Sequence, residues 1–253
     1  MRLNFEITGK EDGPSILLIH GFLSSNAQWL PNIEALGKDY KLIMVELWGH
    51  GESPTPGVAA FTLERYDHEL ERIRVDLDID SWHLIGQSYA AGLVIRYGIN
   101  HPGQTSRIVV TNSRSAFGDI TKQQRPSPQT ELDKSKAIDK SSNRHLPIHP
   151  IYAKRLPDDI KARLVDSADN ISQEAIERGG LIGFKLNTLD ILDTVSVPLL
   201  LTNGIYEKSF QSDAKAIKDN FKTVEVTDLP GGHAVNIEAA TEFNAAVLNF
   251  FNY

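Results

Sequence analysis

Seven short hydrophobic runs punctuate the chain: "LNFEIT" (3–8), "SILLIH" (15–20), "KLIMVEL" (41–47), "WHLIG" (82–86), "RIVVTN" (107–112), "PLLLTNG" (198–204) and "KTVEVTD" (222–228). Between them lie helix-length stretches with amphipathic spacing, and this alternation predicts an α/β fold with a mostly parallel sheet. "SILLIH", "KLIMVEL" and "RIVVTN" are apolar at consecutive positions, as expected for strands covered by helices on both faces. "LNFEIT" alternates instead, with Leu3, Phe5 and Ile7 in phase, and predicts an edge strand with one wet face. The expectation is a doubly wound sheet of about seven or eight strands with helices on both faces.

One interval breaks the rhythm. Between "RIVVTN" and "PLLLTNG" lie roughly 80 residues without a clear strand, too many for one crossover and too polar for a second core. The interval predicts an inserted helical cap over 115–190, with the core assembled from 1–114 and 191–253. "PDDIKARLVDSA" and "SQEAIERGGLIGFKL" carry its helix-start signals and apolar spacing. The stretch from Arg125 to Pro150, rich in Pro, Ser and charge, is where mobility is expected, and it is the natural lid.

Composition narrows the function. At 253 residues with 41% hydrophobic and 23% charged positions, the chain is of ordinary globular make-up and expected to fold as one unit. A net charge of −7 without a basic stripe argues against nucleic acid or an anionic membrane as partner. The absence of cysteine excludes disulfides, thiolate catalysis and Cys-ligated metals. With no signal-peptide h-region and no apolar run of spanning length, a cytoplasmic protein is expected, monomeric or homodimeric.

"LIGQSYAAG" (84–92) carries the first candidate chemistry, because Ser88 falls where the strand "WHLIG" gives way to a helix opening at "YAAG". There a serine hydroxyl projects from the sheet's edge beside a positive helix N-terminus. The pattern is G-x-S-x-A over Gly86, Ser88 and Ala90, and the competing reading is a plain helix N-cap. A serine nucleophile needs an imidazole to take its proton. Of eight histidines His233, in the loop "LPGGHAVNIE" before the last helix, has the best context. His20, His50, His68, His83, His101, His145 and His149 read as ordinary half-buried polar residues.

With "LLIHGF" after one strand, "LWGHGES" after the next, the Ser88 turn, the insertion, "LTNGIYE" and the His233 loop, the sequence resembles the α/β-hydrolase superfamily in five landmarks and their order. The resemblance implies an acid three residues after Gly204, which is Glu207, with glutamate in place of the commoner aspartate; Asp213 and Asp228 are the competing acids. It implies an oxyanion hole from the backbone N–H groups of Phe22 and Tyr89. "GHGES" reads as a supporting turn, since no P-loop Lys and Ser/Thr follow. Phe22, Trp29, Leu181 and Phe184 are candidate pocket residues, with Ile182 beside them. For Trp29 and Trp48 core packing is the competing reading.

The expected activity is hydrolysis of a small or medium carboxylic ester or lactone through an acyl-enzyme, with no cofactor and no metal. Glu207 tilts the expectation toward lactones, because the resemblance extends to some acyl-homoserine-lactone hydrolases. The same residues could serve a hydroxynitrile lyase, C–C hydrolase or acyltransferase, or a slow-turnover ligand sensor.

Overall fold

The computed structural model describes residues 1–118 and 143–252. All seven expected strands form: β1 (Phe5–Gly9), β2 (Ser15–Ile19), β3 (Lys41–Val45), β4 (Trp82–Gly86), β5 (Thr105–Thr111), β6 (Leu199–Gly204) and β7 (Val224–Leu229). They build one sheet in the order β1-β3-β2-β4-β5-β6-β7, parallel at every pairing except β1 with β3. β1 is an edge strand as its alternation predicts, yet Ile7 is 45% exposed, because burial fades along the strand from Leu3 through Phe5.

Consecutive apolar residues in the central strands feed two cores, one on each face. Leu17, Ile43, Leu84, Ile108 and Leu201 join α2 (Leu63–Asp76), α3 (Tyr89–Asn100) and the later helix Gln211–Asn220. Their neighbours Ile16, Leu18, Leu42, Ile85, Val109 and Leu200 pack on the opposite face against α1 (Leu30–Gly37) and the C-terminal helix Ala240–Asn252. Strand side chains alternate in direction, so a strand buried on both sides must be apolar throughout. No described helix is long and apolar enough to cross a membrane.

The insertion leaves β5 through α4 (Arg114–Phe117) and includes α5 (Asp158–Asp169) and α6 (Gln173–Gly183), the latter capped by the Ser172 hydroxyl accepting from the Ala175 N–H. Helices follow in the core at α7 (Gln211–Asn220), α8 (Val235–Glu238) and α9 (Ala240–Asn252). Both ends of the insertion are stitched down: Thr188 N–H donates to the Ala116 carbonyl at 2.8 Å and the Asn187 amide to Gly118 O at 2.7 Å. Phe117 and Leu186 lie in the main core, so packing extends that core a little inside the expected limits of 115–190. The greater part of the expected mobile stretch, 125–142, lies outside the described residues.

α3 grips the returning chain on one face. Arg96 donates to the carbonyls of Lys185 and Asn187, at 3.0 and 2.6 Å. One turn earlier, a Cβ at Gly92 would collide with the Leu186 carbonyl, whereas a Cβ at Gly98 would meet only the end of the Ile108 side chain. Helix propensity favours alanine over glycine by about 1 kcal/mol at either site. Overpacking against fixed backbone costs about 1–3 kcal/mol. Gly92→Ala is therefore expected to lower the urea midpoint and Gly98→Ala to leave it equal or higher; the reverse order in chemical denaturation would contradict this packing.

Candidate active site

Ser88 sits at the junction of β4 and α3 with φ +51° and ψ −110°, a conformation that costs a non-glycine residue energy. The N-cap reading fails on two counts: a capping serine has an extended backbone, and the Ser88 side chain makes no capping bond. Its N–H is tied instead to the Thr111 hydroxyl at 3.1 Å, which pins the turn to β5. Ala90, where the G-x-S-x-G pattern has glycine, is fully buried in the core.

Two loops from the neighbouring strand ends bring the acid and the histidine together. His233 Nδ1 donates to Glu207 Oε2 at 3.0 Å, and the Asn112 amide donates to the same oxygen at 2.9 Å. The loops are laced by backbone bonds: Ile205 N–H to Leu229 O at 3.1 Å and Tyr206 N–H to Gly231 O at 2.8 Å. A Cβ at Gly204 would strike the Gly232 carbonyl, so this approach requires glycine. Burial works to raise the Glu207 pKa, but the His233 bond and charge, the Asn112 amide and the Arg114 charge outweigh it and hold the carboxyl below its ordinary value. Gln87, beside Ser88, donates its amide to the His233 carbonyl at 3.4 Å. The competing acids stand elsewhere: Asp228 accepts from Asn203 at 2.7 Å and Asp213 lies in the first turn of α7.

The loop after β2 is fixed by two histidines that sequence reasoning treats as ordinary polar residues. His20 Nδ1 donates to Gly21 O at 2.8 Å while its Nε2 accepts from Leu47 N–H at 3.3 Å. His50 repeats the device, donating from Nδ1 to Trp48 O at 3.0 Å and accepting from Leu23 N–H at 3.2 Å. Burial, with each other's proximity, pushes His20 down to about 3, and burial pushes His50 down to about 4. Both are neutral rivets between the "HGF" and "GHGES" loops. His50 lies 5.3 Å from the Phe22 ring, which stacks on Tyr89 at 5.3 Å. Neither the Phe22 N–H nor the Tyr89 N–H has a partner among the described residues. α6 lies over this pair, with Gly179 O accepting from the Tyr89 hydroxyl at 3.0 Å.

The pocket candidates divide. Phe22 stands beside the Ser88 turn. Trp29 is fully buried in the core of the opposite face and is removed from the pocket set; Trp48 is likewise core. Leu181 and Phe184 are 63% and 47% exposed, because the phase of α6 turns its Ala175, Ile176, Gly179 and Ile182 side inward. Ile182, not Leu181, reaches the core. Four of the five remaining histidines pair away from the site: His83 stacks on Phe251, His101 bonds Asp67, His149 faces Asp169 and His68 lies beside Glu69. Asn112 is the residue that sequence reasoning missed. It is the polar last step of "RIVVTN", and its amide also holds Gly204 at both N–H and carbonyl.

Comparison with known proteins agrees with this architecture. The alpha/beta hydrolase fold family matches residues 14–145, a span that holds the Ser88 turn and stops short of Glu207 and His233. The carboxylesterase YbfK of Bacillus subtilis strain 168 is 28% identical over 110 residues, 44% of this chain and 37% of that protein. The chain thus spans little more than a third of that relative's length. Among solved structures, a carboxylesterase of the thaumarchaeon Nitrososphaera gargenis superposes with TM-score 0.80 at 20% identity, covering 99% of this chain and 94% of the other. The enol-lactonase of Burkholderia xenovorans LB400 superposes with TM-score 0.79 at 18% identity, covering 99% and 96%. At such identities the two likenesses speak for the fold alone.

The buried neutral histidines set a pH dependence. Their folded pKa values lie below the ordinary 6.5, so the unfolded chain binds the extra protons and stability rises with pH between about 3 or 4 and 6.5. Each adds a slope approaching about 1.4 kcal/mol per pH unit within that window and none above it. Unfolding free energy should fall as pH drops from 7 to 5, while the His20 and His50 ring protons show no NMR titration over that interval. A titration midpoint near 6.5 for either ring would contradict the buried neutral assignment.

Proposed function

The chain belongs to the alpha/beta hydrolase fold family, and on that premise we propose that it is a serine hydrolase of small or medium carboxylic esters or lactones. The observation that carries the reading is the backbone of Ser88, held at φ +51° with its hydroxyl uncommitted to the helix behind it. Strain of this kind persists only where the surroundings enforce it.

In this reading Glu207 accepts the Nδ1 proton of His233, which leaves Nε2 as the free base. Nε2 takes the Ser88 proton as Oγ attacks the acyl carbon, and the N–H groups of Phe22 and Tyr89 receive the negative oxygen. The carbon–oxygen bond then breaks, and His233 returns the proton to the departing alkoxide. Water, deprotonated by the same nitrogen, hydrolyses the acyl-enzyme. In a lactone the alkoxide stays tethered to the acyl group, and one product leaves. The contact of α6 with the Phe22–Tyr89 pair supports small substrates, since it covers that side of the Ser88 turn with a helix.

Ser88→Ala and His233→Ala should each lower kcat by on the order of 10⁵ to 10⁶ on p-nitrophenyl butyrate or an acyl-homoserine lactone. Glu207→Gln should lose about 10² to 10⁴, with Asp228→Asn near the parent rate. A Ser88→Ala protein with a tenth of parental activity would sink the nucleophile. Fluorophosphonate labelling of Ser88 without turnover of any ester or lactone, but with cyanide release or acyl transfer, would move the chain to a lyase or transferase.

A further inference from the structure

We propose that Glu238 is the positioning residue for His233 and that Arg155 of the cap ties this carboxylate to the loop of Glu207. The inference rests on the triad reading and deepens it.

His233 is 51% exposed, so core packing does not fix its ring. A half-exposed imidazole keeps a single geometry only if its backbone is held. Glu238, at the end of α8, folds back to hold it: Oε2 accepts from the Gly232 N–H at 2.8 Å and Oε1 from the Ala234 N–H at 3.4 Å. These N–H groups belong to the residues on either side of His233, so one carboxylate brackets the catalytic candidate. The Glu238 side chain is 10% exposed, and charge-assisted bonds sheltered from water are stronger than neutral surface ones.

The cap reaches the same carboxylate. Arg155 Nη1 lies 3.8 Å from Glu238 Oε2, and its guanidinium sits 5.1 Å from the ring of Tyr206, the residue before Glu207. Leu156, Ile160 and Leu164 follow, in an apolar cluster with Ala234 and Ile237. The cap thus contacts the His233 loop at 234, 237 and 238 and the acid loop at 206. Arg155 is itself 57% exposed, and an exposed pair at this distance is weak. Its share is a small adjustment, while the bracket belongs to Glu238.

The test compares the full chain with Glu238→Gln, Glu238→Asp and Arg155→Met on p-nitrophenyl butyrate, with kcat expressed per folded molecule from circular-dichroism unfolding curves. Glutamine keeps the size but turns its amide donor toward one of the two N–H groups that Glu238 accepts from. Glu238→Gln should lower kcat on the order of 10- to 100-fold, the cost of an ångström-scale misplacement. KM should stay within about threefold, and fluorophosphonate labelling of Ser88 should slow in parallel. Glu238→Asp should recover part of the loss, and Arg155→Met should cost only a few-fold. Parental kcat per folded molecule in Glu238→Gln, with normal labelling, overturns the positioning role and leaves the triad standing. So does a loss that merely tracks the folded fraction. A parent protein that fluorophosphonate does not label at Ser88 overturns the triad reading and this inference with it.

Discussion

The reversal of strand order at β2 is the constraint on which the site depends. The chain lays β3 and β1 on one side of β2, then crosses to place β4, β5, β6 and β7 on the other. Loops leaving β2 and β4 at their C-terminal ends must therefore part in opposite directions, and a crevice opens between them. Phe22 lies on one of those loops and Ser88 on the other. Asn112, Glu207 and His233 follow the next three strands in order, so the candidate site is the row of loops at one edge of a parallel sheet. No single loop could hold it, because each supplies one chemical group.

Loops packed this closely bury polar atoms, and the chain satisfies them mostly with neutral groups. His20 and His50 each give one N–H and accept another, so a buried imidazole binds two loops without a charge to desolvate. Asn112 does the same for Gly204 and Glu207. Two sheltered carboxylates depart from this, Glu238 and Glu207, and the burial cost of Glu207 is offset by His233, Asn112 and Arg114. The longer reach of glutamate is matched by a loop strapped to the exit of β7 through Ile205 and Tyr206.

Hydrophobic patterning made the seven strands and the insertion legible, because burial on two faces leaves a continuous apolar run that no other element of that length requires. The candidates Ser88 and His233 drew attention through the glycines beside them, and Glu207 only through the resemblance, which places an acid three residues after Gly204. Trp29 was misplaced for the same reason that the strands were legible: it follows a strand-end loop, and only the three-dimensional course shows that it turns under the sheet. Leu181 and Phe184 are exposed rather than packed in the core, since apolar spacing marks a face of α6 without saying which one meets the core. Asn112 and Glu238 left no signal, because their role is to satisfy backbone groups of loops distant in sequence, and local pattern carries no trace of such pairings.

The cap joins these observations into one mechanical unit. Its base is fixed, with Ala116 and Thr188 paired and Lys185 to Asn187 held by Arg96 on α3. From that base two helices reach different halves of the site. α6 rests on Phe22 and Tyr89, while the start of α5 rests on the loop of His233. Among the described residues the segment between β5 and β6 therefore meets both the Phe22–Tyr89 pair and the His233 loop. Ser88 is fixed separately, by β4, α3 and the Thr111 hydroxyl. The Ser88 turn therefore belongs to the sheet and its surroundings in part to the segment between β5 and β6, so variation in that segment can alter the surroundings while leaving the strained turn intact.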